Sequence, residues 1–264
     1  MKIGFIGCGN MANAMIHGMI ASHNFDKESF LVSNRSQKKL DKIHSDLGIA
    51  TTTSNEDVAK VSDVLVLSVK PQVYEKVIAQ IKDLVKDTVL ILTIAPGFTL
   101  DRLEKAFGRT LKIVRCMPNT PAQVSEGMTA YVCNGACRQE EMTLVEKILN
   151  SFGKCASVQE NQMDAVTAVS GSSPAYVYVF IETMANAAVK EGMPMDMAIQ
   201  FAAQAVLGSA KMVLDTNLHP AVLKDRVCSP AGTTIEAVSV LEKTGFRSSI
   251  LEAMDACAKK SRGM

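Results

Sequence analysis

The chain has 264 residues, 47% of them hydrophobic, and a net charge of +1. That composition allows a sizeable core in one large domain or two smaller ones. A near-neutral charge with no long Lys/Arg block argues against nucleic acid or an anionic membrane as the main partner. The seven cysteines, odd in number and irregular in spacing, read as reduced thiols of a cytoplasmic protein. Cys133 and Cys137 lack the further ligands of a tetrahedral set, so no metal is expected. Met1-Lys2-Ile3 enters a strand directly, which leaves no room for a secretory leader, and no stretch reads as long enough to span a membrane.

The first element is a short apolar strand over 3–6, followed at once by Gly7-Cys8-Gly9-Asn10-Met11-Ala12 and by helical spacing of apolar residues over 11–21. Strand, tight turn and helix around G-x-G-x-x-A predict a dinucleotide site. Gly7 allows the turn, Gly9 lets the backbone approach a pyrophosphate, and Ala12 lets helix and strand pack closely. The helix start, from Asn10 and Met11, offers free N–H groups and a positive dipole end.

A second strand over 30–33 runs into Asn34-Arg35-Ser36. A carboxylate that would hold the ribose hydroxyls of NAD is absent there. A guanidinium, a hydroxyl and an amide suit a 2′-phosphate, so NADPH is expected over NADH. An Arg35 that is merely a solvated loop residue is the alternative.

Further strands are predicted over 64–68, 89–94 and 111–115, and helices over 71–86, with Pro71 at its first position, and 99–107. Strands over 128–133 and 155–158 flank a helix over 139–152 and extend the sheet at one edge. The pattern is that of a doubly wound sheet. From residue 163 onward no strand pattern appears. Ala- and Met-rich helices there are apolar on more than one face, which calls for a partner subunit.

Reduction of a ketone needs a proton donor on the substrate side. Of the four histidines, His17, His23 and His44 fall in the nucleotide half and only His219 in the second. Lys190 stands near a helix end, where a cation matches the dipole. An imine needs less help, because it can bind already protonated, and hydride attack then leaves a neutral amine. That points to a C=N substrate. Ser170-Gly171-Ser172-Ser173-Pro174-Ala175-Tyr176 and Ser229-Pro230-Ala231-Gly232-Thr233-Thr234 are polar islands before helices. Ser229 and the N–H groups from Gly232 to Thr234 suit a small carboxylate. Ser and Thr are equally favoured as plain caps, and spacing does not decide between the two. Gly171-Ser172-Ser173 follows no strand and has no partners for a nucleophile elbow.

The chain resembles the pyrroline-5-carboxylate reductases in GCGNMA, Ser68-Val69-Lys70-Pro71, Ile94-Ala95-Pro96-Gly97, Arg115-Cys116-Met117-Pro118-Asn119-Thr120-Pro121-Ala122, SGSSPAY and Asp225-Arg226-Val227-Cys228-SPAGTT. The resemblance implies an α/β fold, with a doubly wound Rossmann domain over 1–160 and an all-helical dimerisation and substrate-binding domain over 161–264. It implies NAD(P)H-dependent reduction of 1-pyrroline-5-carboxylate to L-proline, with NADPH as cofactor and NADH possible. It implies an active site at a dimer interface within a larger ring, a decamer. By position, Ser229, Gly232, Thr233 and Thr234 would bind substrate, with Thr234 on the ring nitrogen. Val69, Lys70 and Pro71 would line the cofactor near its ribose, Asn55 would meet the adenosine part, and Ala95, Met117, Pro118 and Asn119 would border the nicotinamide. Ser173 and Ala231 stand where the family has glycine, and Pro96 where it often has alanine.

Two other readings keep the nucleotide motif. A β-hydroxyacid dehydrogenase would place a lysine, with an asparagine four residues on, in the helix linking the domains, yet residues 163–189 contain no lysine. A non-catalytic NADPH sensor would have no use for a carboxylate cradle such as SPAGTT.

Overall fold

A computed structural model describes residues 1–263. The chain forms two compact units, one made of Met1–Ser172 joined by the chain from Cys257 onward, the other of Ser173–Ala256.

The first unit is built on an eight-stranded sheet in the order β3-β2-β1-β4-β5-β6-β7-β8. Its strands are β1 (Ile3–Ile6), β2 (Phe30–Ser33), β3 (Ala50–Thr52), β4 (Val64–Leu67), β5 (Leu90–Thr93), β6 (Lys112–Met117), β7 (Gly127–Cys133) and β8 (Gly153–Ser157). Strands β1 to β6 run parallel; β7 is antiparallel to β6 and parallel to β8. The central strands read as unbroken apolar runs because both faces are covered. Phe5, Val32, Val66, Leu92 and Val114 pack on one face with α1 (Asn10–Ala21) and α6 (Gln139–Leu149). Ile6, Leu65, Leu67, Ile91 and Ile113 pack on the other with α3 (Asn55–Val61), α4 (Tyr74–Ile81) and α5 (Leu100–Phe107). Alternate residues of each strand thus feed two cores, each fully buried Leu, Ile or Phe worth about 1.5–3 kcal/mol. The helix α2 (Gln37–Leu47) lies between β2 and β3 in the chain. Strand order reverses between β1 and β4, and the crevice at such a switch point, beyond the carboxyl ends of the strands, is where doubly wound sheets bind ligands.

The predicted helix over 71–86 is shorter than its pattern. Pro71–Val73 forms a 3₁₀ turn and α4 ends at Ile81, after which Leu84 and Val85 both donate N–H bonds back to Ile81. These two side chains still pack on the core, so helical spacing of apolar residues outlasts the helix. The helix read over 139–152 likewise finishes as a 3₁₀ turn, Asn150–Phe152. A four-residue α7 (Met163–Val166) runs into one π-helical turn, Thr167–Gly171.

The second unit contains α8 (Ser173–Lys190), α9 (Met195–Thr216), α10 (Pro220–Val227), α11 (Thr233–Lys243) and most of α12 (Phe246–Arg262). The expectation that no stretch reaches the length of a membrane span is corrected here. By length and composition α9 does, with 22 residues and a mean hydropathy of 1.3. Its apolarity is spread over many Ala and Met residues rather than concentrated in one Leu/Ile run, which hides it from inspection. In the single chain Phe201, Leu207 and Leu214 of α9 are 64%, 57% and 75% exposed, as are several residues of α8. Apolar exposure on that scale marks an interaction surface rather than an ordinary solvated one.

Candidate active site

The end of β1 sets the phosphate turn. Gly7 has φ +104° and its N–H donates to Ser33 O of β2 (2.9 Å), so the chain turns while still paired with the sheet. A Cβ on Gly7 would stand 2.8 Å from Ser68 O. That carbonyl cannot retreat, because Ser68 N–H donates to Ile6 O (3.0 Å) and its hydroxyl to Gly7 O (2.9 Å). Gly9 is different. It caps α1 with extended backbone and no side-chain bond, the first turn carries no acid, and a Cβ there would meet no protein atom within 4 Å. No packing demands glycine at this position, so the open volume above it and the free N–H groups of Asn10 and Met11 fit a pyrophosphate. Ala12 is buried, and Met11 packs against the core beside it.

Beyond β2, Asn34 is half-buried and Arg35 and Ser36 are exposed. Ser36 precedes α2 without capping it through its side chain, and the first turn of α2 contains no acid. The guanidinium of Arg35 has no hydrogen-bond or ion-pair partner among the described residues, so it is free for a 2′-phosphate. Asn55 is committed on both sides: its Oδ1 accepts from the buried Ser33 hydroxyl (2.7 Å), and its Nδ2 donates to Gln80 (3.2 Å). It therefore fixes where α3 meets the end of β2.

Val69, Lys70 and Pro71 follow β4, with Lys70 exposed at the head of the 3₁₀ turn. The residue that holds this loop is Tyr74, which the sequence reading missed. Its buried hydroxyl donates to Leu67 O at the end of β4 and accepts from Ile94 N–H (3.3 Å) beyond β5. Burial pushes its phenol well above the ordinary range, so it stays a neutral tie between neighbouring strand ends. The only signal in the sequence is one hydroxyl-bearing aromatic on an otherwise apolar helix face.

Ala95, Met117, Pro118 and Asn119 are all buried at the ends of β5 and β6. Asn119 uses its whole amide within the protein: Oδ1 accepts from Met128 N–H (2.9 Å), and Nδ2 reaches Ser170 O and Oγ (3.2 Å each). It ties the β6 loop to β7 and to the π turn. The predicted nucleotide residues of the first unit thus gather beyond the carboxyl ends of β1 to β6.

In the second unit, Ser229 to Thr234 form a tight turn into α11. Gly232 N–H donates to Ser229 O (3.0 Å), and a Cβ on Gly232 would lie 2.5 Å from Ser229 Oγ, so a larger residue would require that hydroxyl to turn away. Ala231 takes φ +54° and so adopts the left-handed conformation with a side chain in place. Among the described residues no side chain caps α11, whose N-cap is Gly232, and its first turn carries one acid, Glu236, as its fourth residue. The Ser and Thr hydroxyls of this loop therefore do not cap α11. The N–H groups of Thr233 and Thr234 remain open to an anion, with the Ser229 hydroxyl beside them.

Residues 160–264 match the pyrroline-5-carboxylate reductase dimerisation family, and residues 2–96 the coenzyme F420-dependent NADP oxidoreductase family. The chain is 48% identical over 260 residues to the pyrroline-5-carboxylate reductase of Escherichia coli, covering 98% of this chain and 97% of that protein. It superposes with a TM-score of 0.91 at 33% identity on the NADP-bound pyrroline carboxylate reductase of Plasmodium falciparum, covering 100% and 97% of the two chains. The corresponding structure from Coxiella burnetii gives 0.92 at 36% identity, covering 99% and 97%. With full-length relatives at this identity, the chain belongs to the pyrroline-5-carboxylate reductase family.

Proposed function

We propose that this protein reduces the C=N bond of 1-pyrroline-5-carboxylate to L-proline at the expense of NADPH, the last step of proline synthesis. The observation that carries the proposal is that each unit offers an anion cradle of its own. One is the uncapped start of α1 above Gly9, with the unpaired Arg35 nearby; the other is the uncapped start of α11 behind Ser229. The first suits a dinucleotide, the second a small carboxylate.

In this reading residues 1–160 hold the nucleotide and residues 161–264 hold the substrate and the partner subunit. Gly7, Gly9, Asn10, Met11 and Ala12 receive the pyrophosphate. Asn34, Arg35 and Ser36 receive the 2′-phosphate, Asn55 borders the adenosine, and Val69, Lys70 and Pro71 border the ribose. Ala95, Met117, Pro118 and Asn119 shape the wall beside the nicotinamide. Bound NADPH supplies a hydride, with its electron pair, to the imine carbon. The Thr233 and Thr234 N–H groups and the Ser229 hydroxyl hold the substrate carboxylate, with Gly232 giving the turn its close fit. The Thr234 hydroxyl accepts a hydrogen bond from the protonated ring nitrogen and orients the C=N face. Hydride addition to the iminium cancels its charge and leaves a secondary amine, so no protein acid has to act during the transfer. The apolar faces of α8 and α9 are covered by a second copy, with the dimers arranged as a decamer in the cytoplasm.

The test is to follow NADPH and NADH absorbance separately with pyrroline-5-carboxylate as acceptor. Thr234→Ala is expected to lower kcat/KM at least tenfold, about 1.4 kcal/mol of lost transition-state stabilisation, while NADPH Kd stays within twofold. Unchanged turnover in that variant removes Thr234 from the reaction, and no oxidation of either nucleotide by the parent protein removes the activity.

A further inference from the structure

Between α1 and α2 lies a cavity of about 340 Å³ that opens at the phosphate turn. Cys8 and Asn10 of that turn form its head, and α2 contributes Lys39, Lys42 and Asp46. Lys39 sits in the first helical turn, next to the cavity head. Asp46 is seven residues further along, about 10 Å down the helix. The ammonium of Lys39 has no counter-ion among the described residues. It is nonetheless close enough to the turn to act on the Cys8 thiol, whose pKa burial raises and Lys39 opposes.

The placement runs against the helix. A first turn favours acids, yet that of α2 has none and holds Lys38 and Lys39 instead. Arg35, two residues before α2 begins, brings the positive charges at this helix start to three. Such a cluster repels itself and the dipole together unless an anion joins it. Lys38 does not line the cavity; Lys39 does.

Building on the NADPH reading above, we infer that Lys39 is a further specificity residue, reaching across the phosphate turn to share the 2′-phosphate with Arg35. A dinucleotide with its pyrophosphate at the α1 start and its adenosine at the end of β2 would bring its 2′-phosphate toward the start of α2, where both cations stand. Lysine supplies a point charge that can follow the phosphate, whereas Arg35 supplies a planar fork.

The experiment is calorimetric titration of 2′,5′-ADP and of 5′-AMP, two probes that differ only by the 2′-phosphate. The proteins are the parent, Lys39→Gln, Lys39→Arg and Lys38→Gln, with melting curves to verify folding. Lys39→Gln is expected to weaken 2′,5′-ADP about tenfold and leave 5′-AMP within twofold. Lys39→Arg should keep most of the discrimination, and Lys38→Gln should change it less than twofold. Equal weakening of both probes, no change in either, an equal effect of Lys38→Gln, or no binding of 2′,5′-ADP by the parent overturns the assignment. A parent that binds 2′,5′-ADP in this pattern but never turns over pyrroline-5-carboxylate keeps Lys39 in its role and removes only the substrate.

Discussion

Gly7 and Gly9 stand two residues apart in one motif, yet alanine should act on them in opposite ways. At Gly9 the backbone already has φ −90° and ψ −179°, which any residue adopts, and a Cβ meets no protein atom. Alanine is a poorer N-cap than glycine by roughly 0.5 kcal/mol, but it restricts the unfolded chain by a similar amount, so ligand-free stability should hardly move. At Gly7, alanine must be forced to φ +104° and against a pinned carbonyl at 2.8 Å, for a total of order 3 kcal/mol. At about 2–4 °C per kcal/mol for a chain of this size, Gly7→Ala should melt roughly 6–12 °C below the parent. Binding should show the reverse contrast. The Gly9→Ala methyl occupies the space above the α1 start and holds a pyrophosphate away from its N–H groups. Loss of about 2 kcal/mol of charge-assisted hydrogen bonding would raise NADPH Kd about 30-fold. Scanning fluorimetry of the ligand-free proteins and calorimetric titration of NADPH measure the two effects. A Gly9→Ala protein that melts as low as Gly7→Ala, or that binds NADPH like the parent, would refute the idea that the glycine is kept for the ligand alone.

Two further outcomes follow from local geometry. Ala231→Gly should relieve the strain of φ +54° in the α11 entry loop and raise the melting temperature by roughly 2–4 °C, since left-handed alanine costs about 1–2 kcal/mol and glycine returns part of that as unfolded-state entropy; a fall in melting temperature would show that the loop gains nothing from glycine. Glu141 is hydrogen-bonded to the Lys112 ammonium and to Arg138 N–H, and both hold its carboxyl below the usual carboxylate range. A depressed folded pKa contributes stability that is present above the unfolded value of about 4.3 and is lost as pH falls through the folded one. Urea midpoints should therefore drop below about pH 4.3, and Glu141→Gln should flatten that limb; an identical acid limb in the variant would assign the loss to other carboxylates.

What could be read from the sequence divides along physical lines. The strands β1, β2, β4 and β5 were legible because burial on both faces writes short, nearly unbroken apolar runs. The edge strand β3 pairs only with β2 through Ala50–Thr52 and writes no such run, and α3 after it is only seven residues long. The reversed direction of β7 leaves no trace, since alternation of apolar residues reads the same both ways. On the site side, the glycine turn, Arg35 and the SPAGTT loop stand out in the sequence because their expected chemistry is local. Tyr74 was not legible, nor were the bonds Asn119 makes, because they span strand ends and, for Asn119, residues 51 apart, which only the topology brings together.

The same division separates the groups that hold the fold from those the fold leaves without a partner among the described residues. Gly7, Ser68, Tyr74, Asn55 and Asn119 are held by contacts within the protein: their hydrogen bonds are made or, for Gly7, a Cβ has no room. The space above Gly9, the N–H groups opening α1 and α11, and the cations Arg35 and Lys39 have no such partner and cluster at strand ends and loop mouths. An unpartnered surface lysine is ordinary. An uncapped helix start with no acid in its first turn, beside a position where a Cβ would meet only open space, is not, because a folded chain normally satisfies those groups itself. Substitutions in the first set should therefore appear in melting curves and those in the second in titrations.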